Sequence, residues 1–309
     1  FPNRARQGKT TIMKCQAKLE HMVIVFVVLI SILSARGQAQ STQASLQEAL
    51  TFYSSFDRGI EAELAHGDPS LYTITSKQPR ETVRRGLHAQ GQTEWVTGLG
   101  IDGGAALRFN QRNASWIFYR GEKNVRYRLN QWSGSVSLWL KLDPETELSP
   151  GFADPLQLTT RAWNDGSFFV DFNKDGDPRD FRLGAFADLK VWNPENKEIS
   201  EDQRPLFPVK APPFAKDRWT HVLFTWSNFN TGKKDGVARL YLNGAFQGEI
   251  AGWDQTFSWK PSETIKIYLG LNYNGLLDEV SCFNRALTPK EIKWFFEHPK
   301  ELVLDSASQ

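Results

Sequence analysis

The strongest constraint in this sequence is apolar–polar alternation in short runs closed by turn pairs. In "GSVSLWLKLD" (134–143), Val136, Leu138, Leu140 and Leu142 share one face of an extended chain, and Ser137, Trp139 and Lys141 the other. "VARLYLNGAFQGEI" (237–250) joins two such runs through Asn243-Gly244, the pair preferred in a two-residue type I′ hairpin. "WTHVLFTW" (219–226) is apolar on nearly both faces, as a central strand would be. "LTFYSSFD", "AALRF" (105–109) and "SFFVDF" (167–172) read as further strands. "TIKIYLGL" (264–271) and "GLLDEVSCF" (275–283) do too, and are expected to pair around Asn274-Gly275. Many short strands, few helices and Gly-rich turns define an all-β antiparallel sandwich.

Helix signals are confined to the two ends. "SLQE" (45–48) is a capping box that would open a short N-terminal helical turn. Thr288-Pro289-Lys290-Glu291 is a second box, with Pro at the first helical position. The helix it opens has Ile292, Phe295 and Phe296 as its apolar stripe and stops at Pro299, leaving 300–309 as a loose tail. Residues 144–218, which include Pro205, Pro208, Pro212 and Pro213, are expected to form long loops and edge strands of a single domain spanning 40–299.

The first 39 residues read differently. "MVIVFVVLISILS" (22–34) is an apolar run of 13 residues. As a helix it would be about 20 Å long, short of a roughly 30 Å hydrocarbon core. With Lys14 and Lys18 before it, and Gly37 and Ala39 after it, the run has the layout of a secretory signal peptide. Residues 1–12 precede Met13 and read as an over-extended start. The expected location is secreted, periplasmic or cell-surface; the alternative is an uncleaved membrane anchor at 22–34. Without residues 1–39, 31 Lys and Arg face 34 Asp and Glu, so no basic patch argues for nucleic acid. Cys282 would then stand alone, and the chain must be held by its core instead of by disulfides.

"GLLDEVSCFNRALTPKEI" (275–292) resembles the closing segment of laminin G-like, concanavalin A-like jelly-roll domains. The matching residues are Gly275, Asp278, Glu279, Val280, Asn284, Arg285, Ala286, Leu287 and Thr288. "FYSSFD", "GAALRF", "GSVSLWLKLD" and "WTHVLFTWS…VARLYLNGAFQGEI" follow the family order, so the resemblance covers about 45–298. Similar domains occur in secreted proteins of environmental bacteria, planctomycetes among them. The resemblance implies two packed sheets with a convex and a concave face. Relatives include lectins, pentraxins, adhesion modules and glucanases, so the fold leaves the function open. It also implies, for members with a structural calcium, that Asp278 and Asp57 could be ligands. The other reading is that Asp278 accepts backbone hydrogen bonds at a strand junction while Glu279 pairs with Arg285.

Catalytic signatures are sparse. Glucanases of this fold carry Glu-x-Asp-x-Glu on one strand, which points both glutamates at the sugar. No Glu-x-Asp occurs in this chain, nor Gly-x-Ser-x-Gly, nor His-Glu-x-x-His. "GKTT" (8–11) mimics the end of a phosphate loop, but Asn3 stands where the loop needs glycine. In "DFNKDGD", Asp171, Asn173, Asp175 and Asp177 have the spacing of half a calcium loop, yet the twelfth position is Arg182 where a helical site needs Glu. A strand-connecting calcium loop and a polar hairpin turn both remain open, the turn being the simpler.

Sugar binding would rest on aromatics in polar loops. Trp163, Trp192 and Trp253 could stack on sugar C–H faces, with Asn164, Asp165, Asn193 and Glu195 supplying hydrogen bonds. Each Trp could equally pin a loop to the core. Asn113-Ala114-Ser115 is a glycosylation sequon if the host glycosylates. The sequence thus points to an exported, non-catalytic module binding polysaccharide or glycoprotein glycans; the resemblance leaves open a structural calcium or no cofactor. The alternatives are a cell-envelope protein-interaction domain without sugar affinity, and a glycosidase or lyase with dispersed acids.

Overall fold

A computed structural model describes residues 37–75, 82–88, 92–110, 115–260 and 265–302. The apolar run 22–34, the "GKTT" stretch, Asn113 of the sequon and residues 303–309 lie outside these. The chain divides into two compact units, Phe1–Glu48 and Ala49–Gln309. The first is described only from residue 37, where a helix (α1) runs over 37–49. Helix was expected to open at Ser45, but Ser45 sits inside it: the Gln- and Ala-rich run upstream sustains the helix.

The second unit is a sandwich of two antiparallel sheets. The first sheet contains β1 (Leu50–Ser54), β2 (Leu64–Ala65), β5 (Thr93–Thr97), β6 (Ala105–Phe109), β8 (Trp132–Lys141), β13 (Thr220–Phe229), β14 (Gly236–Leu242), β15 (Ala245–Trp253) and β17 (Gly275–Phe283). Its order is β15-β14-β13-β8-β17-β1-β2, with β6 on the other half of β17 and β5 beyond it. The second sheet contains β3 (Leu71–Ile74), β4 (Val83–Arg85), β7 (Trp116–Arg120), β9 (Ala153–Thr159), β10 (Ser167–Gly176), β11 (Arg179–Phe186), β12 (Leu206–Val209) and β16 (Lys266–Leu271). Its order is β12-β11-β10-β9-β16-β7-β3-β4. Short helices α2 (Pro144–Glu147) and α3 (Leu189–Trp192) lie in connections, and α4 (Pro289–Glu297) follows the last strand.

Inward-facing side chains of both sheets form one apolar core. Its densest part is aromatic: Trp132 meets the Trp226 ring edge-on at 4.9 Å, and Phe168 meets Phe224 at 4.8 Å. Gly134 is required there, because a Cβ would come within 2.2 Å of the Trp226 ring. At the β14–β15 turn Asn243 (φ 49°) and Gly244 (φ 75°) both adopt the left-handed conformation of a type I′ hairpin, as expected. β13 lies between β8 and β14, the central place its two apolar faces suggested.

Three expectations are corrected. β16 and β17 do not pair: Asn272 (φ 54°) and Gly275 (φ 133°) carry the chain from the second sheet to the first, so Asn274-Gly275 is a crossing instead of a hairpin turn. Residues 144–218 supply β9 to β12, half the second sheet, with β9 and β10 in its interior. Pro flanks hid this, although alternation in "SFFVDF" marked one of the strands. The segment from 300 is not loose at its start, since Lys300 is ion-paired and Leu302 is buried.

Helix α4 covers the outer face of the first sheet at β8 and β13. Thr288 caps α4 by accepting from the Glu291 amide, while Glu291 accepts from the Thr288 amide. The helix lays Phe296 parallel to Trp139 at 5.8 Å and Phe295 edge-on to His221 at 5.5 Å. His221 is fully buried, and burial lowers its pKa to about 3, so it is neutral. The second sheet's outer face carries the cavity described next.

Candidate ligand-binding site

Alternation along β10 and β11 builds the cavity floor. Phe168, Val170 and Phe172 enter the core, as do Phe181, Leu183 and Ala185 of β11. Their neighbours Phe169 and Asp171, and Arg182 and Phe186, therefore face outward. They line a cavity of about 310 Å³ with Trp163 and Phe152 at its rim. Gly184 leaves room for the Phe169 ring, since a Cβ there would lie 2.4 Å from it. Phe169 stacks on Phe186 with ring centroids 5.6 Å apart and planes 7° from parallel.

Trp163 is 51 % exposed and Phe152 45 %, large apolar surfaces left open beside a polar floor. Trp163 leans edge-on against Phe186 at 5.5 Å. Phe152 covers the Arg182 guanidinium at 4.8 Å from its ring centroid.

The floor is charged, and its buried groups are paired with one another. Arg182 and Asp171 are directly opposite in register on β11 and β10. Arg182 Nε donates to Asp171 Oδ1 at 2.9 Å and its Nη2 to Oδ2, a bidentate pair in which both residues are buried. Arg182 Nη1 donates to Glu201 from the connection before β12. Asp154 lines the same cavity, and desolvation, then the Asp171 charge, push its carboxyl well above the ordinary range. A protonated Asp154 presents a donor as well as an acceptor.

The aromatic and polar loop residues named from sequence divide. Trp163 lines the cavity. Asn164 accepts through its carbonyl from Trp192 Nε1 at 2.8 Å, and Trp192 packs edge-on to Phe186 at 5.0 Å, buttressing the wall. Asp165 accepts from the Leu189 amide at 2.9 Å and pairs with Arg161 at 3.1 Å, fixing the same loop to α3. Asn193 closes a turn with Lys197, and Glu195 pairs with Lys197 at the surface. Trp253 ends β15 in the other sheet, half-buried against the core. It is not brought together with the cavity.

Asp171, Asn173 and Asp175 lie along the extended arm of the β10–β11 hairpin, and Asp177 begins its turn. The ladder is irregular between Phe172 and Gly176, the stretch that holds Asn173 and Asp175. Asp171 is committed to Arg182.

The carboxylates of the closing strand are also placed. β17 pairs with β1, Phe52 opposite Cys282 and Ser54 opposite Val280. A bulge falls between Asp278 and Ser281, and Glu279 takes φ 53°. Asp278 accepts from the Ile101 amide at 2.8 Å and the Glu279 amide at 2.9 Å. One of the two readings paired Glu279 with Arg285. Instead it accepts from Tyr53 Oη at 2.5 Å and meets Lys300 Nζ at 3.0 Å, because the bulge turns it toward β1. Arg285 goes to Glu291 of the capping box, at 2.6 and 2.9 Å. Burial first raises both acids, Asp278 to about 8 and Glu279 to about 7. Among the described residues no group of three or more His, Cys, Asp and Glu side chains is arranged to hold a metal ion.

The fold and the closing segment define a concanavalin A-like sandwich. A family profile for the Concanavalin A-like lectin/glucanases superfamily matches residues 124–293, and the chain belongs to that family. No curated protein matches the sequence. Among solved structures, domain 4 of AbnA, a GH43 extracellular arabinanase from Geobacillus stearothermophilus, solved with arabinotriose, is 20 % identical with a TM-score of 0.48, over 79 % of this chain and 97 % of that one. The binding domain of Paraclostridial Mosquitocidal Protein 1 is 15 % identical with a TM-score of 0.50, over 81 % of this chain and 52 % of that one. The chain thus spans about half of that toxin chain. The likeness to the toxin domain is one of fold.

Proposed function

We propose that this chain is an exported, non-catalytic module that binds polysaccharide or glycoprotein glycans in the cavity on its second sheet. The observation that carries this is the pairing of exposed Trp163 and Phe152 with the buried, hydrogen-bonded Asp171–Arg182 floor. Sugar rings offer apolar C–H faces that stack on aromatic rings and hydroxyls that need directional partners. All three nitrogens of the Arg182 guanidinium group are engaged by Asp171 and Glu201, so the floor presents a fixed, hydrogen-bonded polar surface beneath the aromatic rim. The family membership supports the reading, as do rigid strands positioning the floor.

Glycan-array screening of the protein, followed by calorimetric titration of the best hit, tests it. Trp163→Ala and Phe152→Ala should each weaken binding about tenfold, or ~1.4 kcal/mol, with the melting temperature preserved. Unchanged affinity in both variants would remove the cavity from the account. Turnover of the bound polysaccharide would favour the enzymatic alternative.

A further inference from the structure

We propose that Lys300 is the resident cation of the closing-strand carboxylate cluster, and that the domain therefore folds and binds without a divalent metal. Three carboxyls gather there from separate parts of the chain: Asp57 just after β1, and Asp278 and Glu279 in the bulge of β17. The family resemblance makes this the place where calcium would be sought. Calcium takes six to eight oxygens at about 2.3–2.6 Å, which must converge with free lone pairs.

Five of the six oxygens accept a hydrogen bond from the chain itself, and the sixth, Glu279 Oε1, faces the Lys300 ammonium. Asp278 accepts two backbone amides, from Ile101 and Glu279. Asp57 Oδ1 accepts from the Ala105 amide at 2.9 Å, and its Oδ2 from Lys300 Nζ at 2.7 Å. Glu279 Oε2 accepts from Tyr53, and its Oε1 meets Lys300 Nζ at 3.0 Å. The ammonium thus bridges two of the three carboxylates, and Glu279 is fully buried. The backbone closes the space around it: a Cβ on Gly104 would come within 2.1 Å of Asp57 Oδ1 and 3.0 Å of Lys300 Nζ.

Lys300 is delivered there by the end of α4. His298 stacks on Trp294 at 4.6 Å and its ring nitrogen contacts the Trp294 carbonyl oxygen at 2.8 Å. The Glu301 amide then donates to the His298 carbonyl at 3.2 Å, turning the chain back toward β1. A mobile, exposed lysine would not be anchored on both sides in this way. The ion pair therefore ties the C-terminal segment to the first and last strands at once, a link a metal would otherwise supply.

The test is thermal unfolding of the full protein, as wild type and as Lys300→Met, in chelator and in millimolar calcium chloride. Terbium luminescence, sensitised by the neighbouring Tyr53 and Trp95, is read on the wild type alone. The expected wild type melts at the same temperature in both buffers and gives no saturable terbium signal. Lys300→Met should melt about 5 °C lower, the loss of a partly buried ion pair. A wild type stabilised by calcium, a saturable terbium signal, or a Lys300→Met protein that melts like wild type would each overturn the proposal.

Discussion

At the scale of single residues, the Asp171–Arg182 pair shows how the same side chains can be noticed and still be read for other chemistry. Asp171 drew attention as a possible calcium oxygen, and Arg182 as the residue that spoils a helical calcium loop. Both observations count positions along the chain. The pair depends on a relation across the hairpin, where 171 and 182 face each other with a short turn between. Trp163 was legible because a large aromatic in a polar stretch is conspicuous, whereas Phe152, Asp154 and Glu201 become site residues only when three connections meet. Removing one member of the buried pair strands the other. Arg182→Met should therefore cost about 3–5 kcal/mol in urea unfolding, and Asp171→Leu/Arg182→Met should recover much of that loss. A double variant no more stable than Arg182→Met would argue against a coupled pair.

At the scale of elements, strands and caps were the best-read features. The Asn243-Gly244 hairpin and the Thr288 capping box are local chemistry, decided within four residues, and both stand where the sequence placed them. The same local reading erred at Asn274-Gly275, since a turn pair does not say whether the next strand returns to its own sheet. It also erred over 144–218, where β9 to β12 carry their own alternation behind Pro-rich flanks. The floor of the cavity belongs to that misjudged section. Gly184 on β11 is a direct test of how it is packed, because the Phe169 ring occupies the place of its Cβ. Gly184→Ala should destabilise by about 1–3 kcal/mol through overpacking. It should also weaken glycan binding, seen in the same calorimetric titration, by displacing the Phe169–Phe186 stack. Wild-type stability for that variant would mean the ring has room to move.

At the scale of the whole molecule, the two sheets differ in what covers them. Helix α4 closes the first sheet over Trp139 and His221, while the second keeps a cavity open to solvent. That burial gives the protein an acid limit with a definite sign. His221 is held at about 3 when folded, below its ordinary ~6.5 when unfolded. Above pH ~6.5 neither state takes the proton; as pH falls below it the unfolded chain binds a proton that the folded chain refuses. Stability from this group then falls by up to ~1.4 kcal/mol per pH unit. Asp278 and Glu279, both raised, act in the opposite direction, so the difference between wild type and His221→Gln isolates the histidine. That difference, measured by urea unfolding from neutral pH downward, should shift steadily in favour of the variant. A constant difference would show that His221 titrates alike in the folded and unfolded chain.

Period-two alternation, turn pairs and capping boxes are properties of neighbours, so the sequence by itself determined the all-β class, the central strand and the terminal helix. Which strands share a sheet, which face stays open and which charges meet are set by contacts between residues far apart in the chain. Local chemistry has no term for those contacts, so only the tertiary structure could join Asp171 to Arg182 and Lys300 to Glu279.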